Sequence, residues 1–183
     1  MRNHKLSIPR LHRLFIDSLG NAVKTVDSIE RKPLLLDLQK PYPLKLRAYL
    51  YNCTNPPGGR ALDEYKIQII VPNQQRGARG SFDYSDGRLV LLGAYVCLSD
   101  EIENGIFVLW DAMKHESFSY SANLQVKAET LIEALYAPVA AGVRGNNEIV
   151  LAARPRYLLT AIEMRIDIMS RNIRGEEYEP ERL

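Results

Sequence analysis

Residues 118–127 read Phe-Ser-Tyr-Ser-Ala-Asn-Leu-Gln-Val-Lys and alternate without a break. Phe118, Tyr120, Ala122, Leu124 and Val126 fall on one side. Ser119, Ser121, Asn123, Gln125 and Lys127 fall on the other, and Ser117 extends the polar row. A β-strand sends successive side chains to opposite faces, so the stretch predicts one half-buried strand over 117–127. Its polar row carries hydroxyls and carboxamides where an ordinary solvated face carries Lys, Glu and Thr. Such short neutral groups both donate and accept hydrogen bonds, which suits reading the edges of bases or another polar polymer. A solvated face that happens to lack acids has the same pattern, so the rest of the chain has to decide.

The chain has 183 residues, 46% of them apolar, which fits one domain with a real core. No run approaches the roughly 18 apolar residues that span a bilayer, so no membrane association is expected. The N-terminus lacks the continuous apolar region of a secretory signal. Cys53 and Cys97 form no CxxC pair, and only three histidines are present, which argues against structural zinc. A reducing cytoplasm is the expected compartment. Residues 1–60 hold eleven Lys/Arg against four Asp/Glu, whereas the segment from Glu163 onward holds four Arg against six acids. The basic N-terminal third is compatible with a polyanion-binding surface.

Spacing along the chain predicts the remaining elements. Leu11, Leu14, Phe15, Leu19, Val23 and Val26 follow i, i+3, i+4 spacing, giving helix over 8–30 with a break at Gly20. Strands are expected at 34–38, 44–51, 64–71, 88–97, 106–112, 117–127 and 148–153, with a short helix or strand end at 130–136 and a loop at 137–147. Pro155 opens a helix to about Asn172, which Gly175 caps, and an acidic tail occupies 176–183. The resulting class is α+β: a seven-stranded, open β-barrel-like sheet over 34–153 with helices near both termini, forming a single domain over 1–175.

Three segments carry candidate binding groups. In 44–51, Lys45, Arg47, Tyr49 and Tyr51 share a face, two cations with two aromatics, which suits phosphate and base contacts. Snorkelling side chains beside a tyrosine cluster give the same row. The loop 52–64 offers Asn52, Asn55 and Arg60 around a rigid Pro-Pro and two glycines. The loop 72–87 offers Gln74, Gln75, Arg76 and Arg79 with no acid until Asp83. Arg pairs with guanine, and Asn or Gln with adenine, through two hydrogen bonds each. Glu64, Lys66 and Gln68 share a face of the strand between these loops. Lys114 and His115 precede the 117–127 row.

The stretch YLYNCTNPPGGRALDEYKIQIIVP, followed by GRLVLLGAYV, GIFVLWDAMKH and SYSANLQV, resembles the B3-like DNA-recognition domains of bacterial restriction endonucleases and small proteins linked to restriction–modification systems, over roughly residues 44–160. The resemblance implies a wrench-like barrel that grips duplex DNA in its major groove, with 52–64 as an N-terminal arm and 112–123 as a C-terminal arm. It implies double-stranded DNA as a partner, no cofactor, and catalysis in a nuclease, ATPase or methyltransferase subunit. A catalytic alternative stays open on the residues. Glu64-Tyr65-Lys66, with Asp37 ending an earlier strand, resembles the PD-(D/E)xK nuclease pattern, in which two carboxylates and a lysine would hold Mg²⁺ beside a phosphate. A non-catalytic protein-interaction subunit, favoured by ten tyrosines, is the third class.

Overall fold

A computed structural model describes residues 5–55, 61, 63–99, 101–176 and 178. Helix α1 (Ile8–Leu19) buries Leu11, His12, Phe15 and Leu19 along one stripe. It stops at Gly20, whose φ of 53° suits a residue without a Cβ. The helix does not resume. Val-Lys-Thr-Val is β-branched at three of four positions and forms strand β1 (Val23–Val26), paired antiparallel with β2 (Leu34–Leu38). The expected helix over 21–30 is thus corrected: tertiary pairing overrides a short apolar repeat.

Strand β3 (Lys45–Asn52) lies between β2, antiparallel, and β6 (Leu89–Val96), parallel. Strand β6 then pairs through a hairpin with β7 (Ile106–Trp110). Two further strands, β10 (Ala140–Val143) and β11 (Ile149–Ala153), complete a seven-stranded mixed sheet in the order β1-β2-β3-β6-β7-β11-β10. Among the described residues this ladder does not close on itself. Seven is the expected number, but the membership differs. β1 and β10 join where helix and loop were expected, while 64–71 and 117–127 leave the sheet altogether.

Those two segments build a separate layer. Strand β4 (Glu64–Ile69) pairs antiparallel with β9 (Ala122–Lys127). A smaller ladder joins β5 (Arg79–Gly80) to β8 (Phe118–Ser119). The single strand expected over 117–127 is therefore two, broken at Tyr120–Ser121, where Ser121 takes a φ of 61°. Each half has its own partner, yet the alternation survives: Phe118, Leu124 and Val126 are buried, and Ser119 and Asn123 are exposed.

The main sheet is covered on both faces. Leu46, Leu91, Leu109 and Leu151 pack with α1 and α3 (Leu158–Ile173). Alternate residues Tyr49, Leu92, Val108, Trp110 and Val150 pack with Ile67, Ile69, Leu124 and Val126 of the ribbon and with Leu131 of α2 (Ala128–Glu133). Burial on both faces explains why β6, β7 and β11 read as continuous apolar runs. Trp110 Nε1 donates to the Gln125 carbonyl (3.2 Å), and Tyr51 Oη to the Ile70 carbonyl (3.0 Å), so the ribbon is fastened by hydrogen bonds as well as by packing. Among the described residues no helix is long and apolar enough to cross a membrane.

This layering separates two neighbouring side chains. Leu124→Ala is expected to cost about 2–5 kcal/mol by leaving a cavity between ribbon and sheet. Asn123→Ala, one residue away on the outer face, should stay within about 0.5 kcal/mol. Urea unfolding of the two variants measures both.

Candidate nucleic-acid interface

The register of the ribbon decides what its outer face carries. Ile67 lies opposite Leu124 and Tyr65 opposite Val126, both pairs turned inward. Directly opposed residues share a face, so the alternate pairs turn outward: Gln68 opposite Asn123, Lys66 opposite Gln125, and Glu64 opposite Lys127. Two polar rows read separately along the chain become one surface, two residues wide and three deep. Its acid sits at one end. Lys127 Nζ donates to Glu64 Oε1 (2.8 Å) and Asp63 Oδ2 (3.3 Å), and these bonds hold its ammonium above the ordinary lysine range. Lys66 has no ion pair among the described residues. Its backbone exchanges two hydrogen bonds with Thr54, which docks the start of the 52–64 arm alongside β4.

A second polar group flanks the ribbon. Arg79, paired with Ser119 across the small ladder, donates from Nε to Ser117 Oγ (2.7 Å) and from Nη2 to the Ser117 carbonyl (2.7 Å). The guanidinium is thereby oriented while it remains exposed. Gln75 and Arg76 are exposed on the preceding loop. Gln74 is not available to a ligand, because its carboxamide accepts from Val71 N (3.3 Å) and donates to the Ala78 carbonyl (3.1 Å), bracing that loop.

Several other candidates have structural work. Arg47 is 4% exposed, and its Nη1 contacts Asp83 Oδ1 (2.7 Å) while Nη2 contacts Asp86 Oδ2 (3.2 Å). Its row also buries Tyr49 and Tyr51, so the expected phosphate-and-base face of β3 is a core face; only Lys45 at its end is exposed. The Asn52 carboxamide spends both ends on Leu6, accepting from N (2.7 Å) and donating to O (2.9 Å), and so pins the chain entering α1. Lys114 Nζ donates to the Asn147 carbonyl (3.0 Å). Ser121 forms the turn between β8 and β9. Asn55 lies one residue beyond the Thr54 bridge. Arg60 lies outside the described residues.

The nuclease constellation does not assemble. Asp37, one residue before the end of β2, lies opposite Lys45 and pairs with Arg88 (2.8 Å), which holds its carboxyl below the ordinary range. Lys66 is bridged to Thr54, beyond the other end of β3. At roughly 3.3 Å per residue, the strand between them places the two groups on the order of 20 Å apart. Among the described residues no three His, Cys, Asp or Glu side chains gather as a metal ion would require.

One buried polar cluster leaves no trace in the local sequence pattern. Glu148, with no exposed surface, accepts from Asp111 N (3.0 Å) and Arg144, and its Oε1 lies 2.9 Å from His115 Nε2. Asp111 caps the turn at 112–115 by accepting from Met113 N (3.0 Å) and also accepts from Asn172 of α3 (3.3 Å). His115 therefore joins the C-terminal end of β7 to the start of β11. Its partner is 33 residues away, a separation that gives no local motif.

The chain belongs to the methylase-associated X1 family, whose model matches residues 44–162. No curated protein and no solved structure matches the chain significantly.

The Glu148 cluster has a pH consequence. Burial works to raise the Glu148 pKa, but His115, Arg144 and the Asp111 N–H favour the carboxylate more strongly and leave it lowered. A lowered folded value means the stabilisation is complete above the unfolded value near pH 4.3 and is lost as pH falls through the folded one. Asp83, held low by Ser85 and Arg47, acts in the same direction. Glu148→Gln should therefore flatten the acid side of the melting-temperature profile. Glu148→Ala should cost about 3–5 kcal/mol at pH 7 by stranding the Arg144 guanidinium and the Asp111 N–H.

Proposed function

We propose that this chain binds double-stranded DNA sequence-specifically, as the recognition module of a restriction–modification or related defence system. The observation that carries the reading is the outer face of the β4–β9 ribbon. The major groove, about 12 Å wide, admits a two-stranded β-ribbon. This ribbon presents Gln68, Asn123 and Gln125, whose carboxamides match the paired donor and acceptor of adenine, together with Lys66. Arg79, oriented by Ser117, and Arg76 supply phosphate contacts from the flank. Ser119 and Gln75 border the same face. Backbone contacts set register, and base-edge contacts set sequence.

In this reading the mixed sheet with its ribbon is the open pseudobarrel of a B3-like domain spanning 1–175. The two arms of this reading are 52–64, whose Thr54 exchanges backbone hydrogen bonds with Lys66 of β4, and 112–123. The module needs no cofactor and works in the cytoplasm. The family's description as methylase-associated supports a methyltransferase-related partner, with catalysis housed in that partner or in an associated nuclease or ATPase.

The test is duplex binding with and without Mg²⁺. Affinity should fall steeply as salt rises, because counterion release scales with the phosphates neutralised. Asn123→Ala or Gln125→Ala should cost about 1–3 kcal/mol on the preferred site and much less on random DNA. Lys66→Ala should weaken binding. Mg²⁺-dependent cutting by the purified wild type would overturn the binding-module reading, and a salt-independent affinity would point to a protein partner.

A further inference from the structure

The arginines sort by partner. Among the described residues Arg31, Arg47, Arg88, Arg144, Arg171 and Arg174 each pair with a carboxylate, and Arg165 is sealed in the core. The rest form two groups. Arg76 and Arg79 flank the ribbon. Arg10, Arg13, Arg154 and Arg156 lie in the helical layer, on the other side of the main sheet.

The second group is organised. Helix α1 packs against the 3-10 turn Pro155–Tyr157 that follows β11. The Arg156 guanidinium carbon lies 4.8 Å from the centre of the Tyr157 ring, and that of Arg154 lies 5.6 Å from it. Arg154 Nε is buried without a hydrogen-bond partner. Arg10, Arg13 and Arg156 are exposed, and Arg10 and Arg13 are neighbours on one helix face. Four guanidiniums outnumber the one acid on their helix face, the exposed Asp17 one turn on from Arg13, and form a field that favours anions. Stacking on Tyr157 orients two of them before any ligand arrives, which lowers the ordering cost of binding. A planar fork of N–H donors fits a phosphate through two parallel bonds.

We propose that α1 and the 154–157 turn form a second contact surface for the phosphate backbone of duplex DNA, engaging duplex that extends beyond the ribbon. This rests on the DNA-binding reading of the ribbon and gives the domain a clamp that reads no sequence. The two surfaces lie in different layers, so a duplex must both extend beyond the ribbon and bend round the sheet to touch the second, and one covering only the ribbon's footprint does not reach it.

Fluorescence anisotropy on duplexes of about 10 and about 25 bp, roughly one helical turn and more than two, separates the surfaces. On the long duplex, Arg10→Gln/Arg13→Gln and Arg156→Gln should each reduce the slope of log affinity against log salt by about one for every phosphate no longer neutralised. They should weaken preferred and random sequences by the same factor and leave short-duplex binding unchanged. Arg156→Lys should keep most of the slope, and unchanged melting temperatures certify that the variants are folded. An unchanged slope on the long duplex, with wild-type binding intact, overturns the second surface and leaves the ribbon standing. Equal weakening on the short duplex overturns the extended-duplex geometry. A wild type that binds neither duplex removes both readings.

Discussion

β3 and β6 run parallel and in register from Leu46 opposite Leu89 to Asn52 opposite Tyr95, and a parallel pair cannot be closed by a tight turn. The chain leaving Asn52 must travel back along the sheet before it enters β6. β4, β5 and the Gln74-braced loop belong to that excursion and lie over one face. The opposite face is taken by α1 and α3. The candidate interface is thus the outer surface of a crossover, held away from the sheet by the apolar layer of Ile67, Ile69, Leu124 and Val126.

That single constraint gives two alternating strands opposite fates. In β3 the row Lys45, Arg47, Tyr49, Tyr51 resembles a binding face, but β3 is central and both of its faces are covered. Arg47 is desolvated, and Asp83 and Asp86 from the returning chain compensate it. In β4 the row Glu64, Lys66, Gln68 is no more polar, yet it faces outward because β4 belongs to the outer layer. Burial follows from layer position, which alternation alone does not encode.

The polar residues divide along the same line. Asn52 and His115 satisfy backbone or buried carboxylate groups that the fold would otherwise leave unpaired, a costly state for a desolvated atom, while Gln74 and Lys114 brace exposed loops. Gln68, Asn123, Gln125 and Lys66 satisfy no such internal requirement among the described residues. Side chains that the fold does not need are the ones free to meet a ligand, and here they converge on one ribbon and its flank.

Local spacing and backbone preference suffice to read from the chain the α+β class, the terminal helices, the break at Gly20, most strand positions and the inward–outward alternation of 118–127. Long-range pairing makes Val23–Val26 and Ala140–Val143 sheet strands, bends the 117–127 segment at Ser121 to serve two partners, and sets Gln68 beside Asn123. It also gathered Glu148, Arg144, His115 and Asp111 into one buried cluster. The physical reason is shared: pairing register and desolvation are set by residues far apart in the chain, and a local pattern records which side chains share a face without recording what lies across from them.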